Sequence, residues 1–260
     1  MGESNVWSGC FRNAMELLAR DYNCAPADFT KAENTLTVSA LLPGRRVYSP
    51  EAPFFQMATT GAGAVVAADA RLHPFLRRWM RHRRGSWLFN LPNLPPLAAE
   101  LERFGWRLAG TQHMFLPHRE TAGDCPFPLR WYGPGEFERF YGDPRFVNAL
   151  CPRFQRERPD RLAVCAMDGE NIMGMAGISE DAPGWMQIGV DVLPACRSRG
   201  VGTALVTAMK NRVLAQGDTP FYGAAVANYH SWNIALNAGF RPAWVELSSE
   251  PVSKPYTAAR

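Results

Sequence analysis

Between Gly184 and Gly217 the hydrophobic period of the sequence changes from two to about 3.6, and this change restricts the fold more than any other feature. In "GWMQIGVDVLP" (184–194), Ile188, Val190 and Val192 alternate with Gln187, Gly189 and Asp191, the spacing of a strand. Pro194 ends it. From Val201 the apolar positions Val201, Leu205, Ala208, Met209 and Val213 recur at helical spacing, and Gly217 is a natural stop. "RSRGVG" (197–202) joins the two patterns. The reading is an α/β chain with glycines at a strand-to-helix turn.

The first turn of a helix carries backbone N–H groups without partners and the positive end of the helix dipole, so it favours an anion. Glycines let a phosphate approach the backbone, and Arg197 or Arg199 adds charge. A plain flexible turn would have the same glycines. A P-loop needs Lys-Ser/Thr after its last glycine, whereas Thr203 and Ala204 follow Gly202. A dinucleotide fingerprint needs a third glycine and an acidic residue ending the next strand. Position 205 is Leu, and "TPFYGAAVAN" (219–228) ends in Asn.

Composition narrows the class. Hydrophobic residues make up 47% and charged residues 20% of the 260, as in folded soluble proteins. No apolar run reaches the roughly 20 residues of a membrane span, and the N-terminus lacks the pattern of a signal peptide. It begins like a myristoylation site but has Val6 where Ser or Thr is needed. The six cysteines are dispersed without a C-x-x-C pair, so no metal site is expected and a reducing cytosol is the simplest location. Net charge is +4, with the excess in residues 1–120, much of it in "RRWMRHRR" (Arg77 to Arg84). Read as a helix, this stretch puts Phe75, Leu76, Trp79 and Met80 near one side and the arginines mostly elsewhere. A solvated face and an anionic partner both fit. No nucleic-acid motif surrounds it, and a nucleic-acid partner would show affinity falling steeply with salt.

The order of strand, Pro, "RSRGVG", helix, strand and "NYHSWNIALNAGF" resembles the GNAT superfamily of acyl-CoA-dependent N-acyltransferases. Arg197-x-x-Gly200-x-Gly202 matches that family's pyrophosphate loop. Asn228-x-x-Ser231 followed by Gly239-Phe240 matches its second segment. The resemblance covers roughly Trp185 to Leu247 and extends towards Leu129. "LRWYGPGEF" (129–137) would then be the first strand and helix, and 161–181 a hairpin turning at Asp168-Gly169. The resemblance implies acetyl-CoA as co-substrate, with its pantetheine arm between the fourth and fifth strands on the backbone of Val190 and Val192. Its pyrophosphate would lie on the N–H groups of Arg199, Gly200, Val201, Gly202 and Thr203, and Asn228 and Ser231 would bind the arm or cap the next helix. The tyrosine that many members use to protonate the thiolate is replaced by Ala235, and the strand glutamate of some members by Met186 and Gln187. "SWNIALNAGF" looks like the zwittermicin A resistance acetyltransferases in this respect. Asp191 and His230 are the remaining candidates for proton work, with Tyr229 comparable to His230. Cys196 reads as a packing residue.

The first half repeats a similar order from Phe54 to Pro117: strand, turn, strand, helix, short strand "SWLFN", helix, "FGW", strand. Gly105-Trp106 falls where Gly239-Phe240 falls. Its loop, "ADARLHPF", replaces the glycines with bulky residues and Pro74, so no pyrophosphate is expected there. Two GNAT-like halves follow, each a mixed sheet flanked by helices: a degenerate domain at 1–120, a linker at 121–128 ("TAGDCPFP") and an acetyl-CoA-binding domain at 129–260. The implied activity is acetyl transfer to a primary amine in a ternary complex. A small-molecule acceptor is the first choice, a peptide amine the second, and a non-catalytic acyl-CoA sensor the competing class. Trp131, Tyr132 and Phe140 could line the acceptor pocket or the core. The chain is expected to be a monomer or a dimer.

Overall fold

The computed structural model describes residues 3–119 and 125–254; residues 121–124 of the expected linker, and Met1-Gly2, lie outside the described residues. The chain is α/β, with mixed sheet flanked by helices. In chain order the elements are α1 (Glu3–Asp21), β1 (Thr35–Val38), β2 (Phe55–Thr59), β3 (Ala64–Ala68), α2 (His73–Met80), α3 (Leu94–Glu102) and β4 (Trp106–Pro117). There follow β5 (Leu129–Tyr132), β6 (Asp160–Asp168), β7 (Asn171–Ala182), β8 (Trp185–Val192), α4 (Val201–Ala215), β9 (Thr219–Ala225), α5 (Tyr229–Asn237) and β10 (Phe240–Pro251).

Two compact units are present, and they are interleaved in sequence. The first comprises residues 1–11, 115–224 and 228–242; the second comprises 12–114, 225–227 and 243–260. This differs from the consecutive division at 121–128. The reason lies in strand pairing: β10 from Val245 to Ser248 runs antiparallel to β2, so the end of the chain belongs to the unit of β2.

In the first unit the strand order is β9-β8-β7-β6-β5. The pairs β5/β6, β6/β7 and β7/β8 are antiparallel, and β8/β9 is parallel. The expected hairpin is β6/β7, with Gly169 at φ +58° in its turn. One sheet face carries α4 and α5 over a core of Ile188, Val201, Leu205, Met209, Tyr222, Ala235 and Phe240. The other carries Tyr132, Phe137, Phe146, Leu150, Cys165 and Met175. Tyr132 is buried there, Phe140 packs against the same cluster, and Trp131 packs against the α4/α5 core, so all three belong to the core. The helix expected after "LRWY" is a single 3-10 turn, Phe137–Phe140.

In the second unit the order is β1-β3-β2-β10, and α2 and α3 pack Leu72, Leu76, Trp79, Leu97 and Leu101 against Phe55, Met57, Val66 and Leu247. Two local expectations are corrected. "SWLFN" is a 3-10 turn (Gly85–Phe89), because Gly85 sits where a Cβ would meet the Ala64 backbone nitrogen at 2.1 Å, a contact that holds this segment across β3. The arginine run is not one helix: α2 ends at Met80, His82 is left-handed (φ +62°), and Arg81 to Arg84 are loop residues.

Candidate functional site

The site begins where β8 and β9 part. Their parallel ladder runs from Trp185↔Thr219 to Ile188↔Tyr222 and stops there, although β8 continues to Val192 and β9 to Ala225. Beyond Ile188 the strands open into a crevice. The side chains of Val190 and Val192 pack against the α4/α5 core, so what they present to the crevice is backbone.

The crevice leads to the loop before α4. After a 3-10 turn at Pro194–Cys196, Ser198 (φ +60°) and Gly200 (φ +82°) are both left-handed, on either side of Arg199. For a serine this conformation costs about 1–2 kcal/mol. Left-handed residues alternating along a loop turn successive N–H groups towards one concavity, an arrangement suited to anions. Gly200 caps α4 without a side-chain hydrogen bond, and the first helical bond is Ala204 N–H to Gly200 O (3.0 Å). The N–H groups of Val201, Gly202 and Thr203 precede that bond and have no acceptor within the helix. Arg197 and Arg199 are exposed, and Arg197 Nε reaches Val192 O at 3.4 Å. Cys196 packs against the core.

Gly202 has a different job from the one its motif suggests. A Cβ there would lie 2.8 Å from Ile234 Cδ1 and 3.3 Å from Val192 Cγ2. Its bare Cα lets α5 and β8 close on α4, and it faces the core.

At α5, Asn228 is the N-cap, its Oδ1 accepting from Ser231 N–H (3.1 Å). The Ser231 hydroxyl is 3.1 Å from the Tyr222 hydroxyl. Burial raises the Tyr222 phenol above its ordinary pKa, a shift that the Ser231 hydrogen bond opposes. Tyr222 is also the last β9 residue paired to β8, so this hydroxyl pair stands at the closed end of the crevice. His230 and Tyr229 are exposed at the start of α5. Ala235 is 0% exposed, which leaves no room for a tyrosine side chain at that position.

On the opposite sheet face Asp191 is engaged. Its Oδ2 accepts from the N–H groups of Asn148 (2.7 Å) and Ala149 (2.9 Å), and its Oδ1 from Asn148 Nδ2 (2.6 Å). The backbone of Asn148 and Ala149 lies against two paired glycines: a Cβ on Gly189 would be 1.8 Å from Asn148 O, and one on Gly177 1.9 Å from Ala149 O. Asp191 thus ties this segment down, and both of its oxygens are used in doing so. Beside it a polar cavity of about 180 Å³ is lined by Asn148, Cys151, Asp160, Ser179, Gln187 and Gly189, among others.

Residues 127–240 match the Acetyltransferase (GNAT) family model. No curated protein gives a significant sequence match. Solved structures similar to this chain include a GCN5-related N-acetyltransferase from Sphaerobacter thermophilus, at 16% identity and TM-score 0.45, covering 80% of this chain and 79% of that one. Another from Kribbella flavida has 13% identity and TM-score 0.46, covering 62% of this chain and 66% of that one. A tandem GNAT protein from the clavulanic acid biosynthesis pathway has 16% identity and TM-score 0.42, covering 62% of this chain and 59% of that one. This chain thus spans less than two thirds of the length of the last two.

The GNAT match contains every site residue singled out in the sequence, from Val190 to Ser231. Ser198, Tyr222, Asn148, Gly177 and Asp160 were not singled out. Of these, Gly177 carried a signal, since a lone glycine in a strand pattern marks a close backbone approach.

Proposed function

We propose that the segment matched by the GNAT family is an N-acetyltransferase domain that takes acetyl-CoA as co-substrate and acetylates a primary amine by direct attack in a ternary complex. The observation that carries this reading is the opening of β8 from β9 beyond Ile188↔Tyr222 directly ahead of an uncapped helix start. An extended arm laid in the crevice would meet the backbone of Val190 and Val192. Its pyrophosphate would meet the N–H groups of Arg199 to Thr203, with Arg197 and Arg199 adding positive charge.

The co-substrate supplies an acyl group already activated as a thioester; the chain supplies position and protons. Backbone N–H groups along the open edge of β8 would polarise the carbonyl. The Tyr222–Ser231 hydroxyl pair lies at the closed end of the crevice, where a departing thiolate would need a hydrogen-bond donor. In this reading Asp191 acts as a positioning residue for the Asn148–Ala149 segment, and exposed His230 remains the side chain able to take a proton to solvent. Asn228 caps α5 and keeps Ser231 in place.

Calorimetric titration with acetyl-CoA tests the proposal. Arg199 is exposed, so Arg199→Glu should fold normally while replacing attraction by repulsion. Wild type should bind, and the variant should bind at least about tenfold more weakly. Equal binding by both proteins, or none by wild type, would remove the loop from the reading. Saturable binding with no turnover on any amine would favour an acyl-CoA sensor.

A further inference from the structure

The polar cavity beside β8 has a charge that nothing in the described structure balances. Arg158 projects towards it, but its Nε bonds Asp181 Oδ1 (2.6 Å), and its Nη2 bonds Ser179 Oγ (3.2 Å) and Gln187 Oε1 (3.0 Å). Asp181 is wholly buried, so that pair cancels in place. Asp160 is 6% exposed, and its oxygens accept from the Cys151 N–H (3.1 Å for Oδ2). Among the described residues it forms no ion pair; Tyr141, Cys151 and Arg158 are the titratable groups facing it, and burial is the largest influence, raising its carboxyl above the ordinary range. A nearly buried carboxylate lining a cavity and lacking an ion-pair partner is suited to a cation brought by a ligand.

Register gives the cavity a direction. Asp160 pairs with Ser179, and Ser179 with Gln187, so the three form one row across β6, β7 and β8. At about 4.8 Å per strand, Asp160 stands roughly 10 Å from β8. The β8 end is Gln187 to Gly189, where the crevice opens. Asp160 is therefore at the far end, too distant to act on the reacting atoms. The volume of about 180 Å³ compares with the roughly 150 Å³ cavity that takes one benzene, so the occupant is small.

We propose that this cavity holds the acceptor, and that the acceptor is a small amine with a second, non-reacting cationic group bound by Asp160. The inference rests on the acetyl-CoA reading above. One amine reaches the crevice at Gly189 while the other end is anchored at Asp160, which makes Asp160 a specificity determinant and leaves the chemistry to β8 and α5.

The test uses the full chain saturated with CoA and two probes differing only in the distal charge, 1,5-diaminopentane and n-pentylamine, titrated calorimetrically. Wild type should bind the diamine about ten- to hundredfold more tightly, the range expected of a charge-assisted hydrogen bond. Asp160→Asn should abolish the preference while keeping acetyl-CoA affinity and melting temperature. Because Asp160 also accepts from Cys151, a second variant guards against misfolding: Gln155→Lys places a competing cation in the cavity lining and should reduce the preference in the same way. Equal affinity for the two amines in wild type, no binding of either, or a preference that survives both substitutions would overturn the inference. Acetyl-CoA binding, read on the same samples, reports separately on the proposed function.

Discussion

At the scale of single residues, the glycines divide by task. Gly200 is left-handed and opens the helix start, whereas Gly202, two positions on, is a packing residue against Ile234 and Val192. Gly189 is a third kind, keeping the face of β8 bare so that the Asn148 carbonyl can lie on it. Its substitution has a definite expectation. Gly189→Ala sets a methyl 1.8 Å from a backbone oxygen, and no side-chain rotation relieves that contact. The variant should lose about 1–3 kcal/mol in urea unfolding, the usual cost of overpacking. An unchanged midpoint would mean that the Asn148–Ala149 segment is held less firmly than its hydrogen bonds to Asp191 indicate. Both glycines of "RSRGVG" were visible in the sequence, but their different tasks depend on which neighbours each Cα meets.

At the scale of elements, two helix starts carry opposite electrostatics. At α4 the cap is a glycine, with arginines at 197 and 199. Ahead of α2, the Asp69 carboxylate accepts the Arg71 N–H (2.9 Å) and pairs with its guanidinium, so a fixed negative group already stands there. A second buried device joins elements of the second unit. Arg46, 6% exposed, pairs with Asp21 at the end of α1 (2.5 Å) and Glu246 on β10 (2.9 Å), with the Tyr48 and Trp244 rings over its guanidinium. Removing the cation leaves a carboxylate buried without its partner, so Arg46→Ala should cost about 3–5 kcal/mol in denaturant unfolding. A loss under 1 kcal/mol would show that water reaches Asp21 and Glu246 once the side chain is gone. Sequence alone gave no hint of this triad, because its members are 25 and 200 residues apart.

At the scale of the whole molecule, the interleaving of units has a consequence for dissection. The contiguous segment 12–114 omits the part of β10 that pairs with β2, and β2 has four buried residues among its five. An apolar edge left unpaired is an aggregation site. The 12–114 fragment should therefore elute as aggregates in size-exclusion chromatography, and a permuted chain that appends residues 243–254 should elute as a soluble species. A soluble, folded 12–114 fragment would mean that the unit does not need β10.

What the sequence determined by itself is local: the strand at 185–192, the loop at 197–200, the helix from Val201 and the 168–169 turn all follow from period and turn chemistry within about a dozen residues. The absence of the tyrosine was equally legible at Ala235. Tertiary structure decided the rest. The segment expected as a strand at "SWLFN" was settled by the closeness of Gly85 to β3, and the end of the arginine helix at Met80 by the left-handed turn at His82. Where β8 leaves β9, which groups engage Asp191, and how Asp160 comes to line a cavity without an ion-pair partner depend on contacts between residues far apart in the chain. Periodicity records which face of an element is buried, but carries no information about the distant group that covers it.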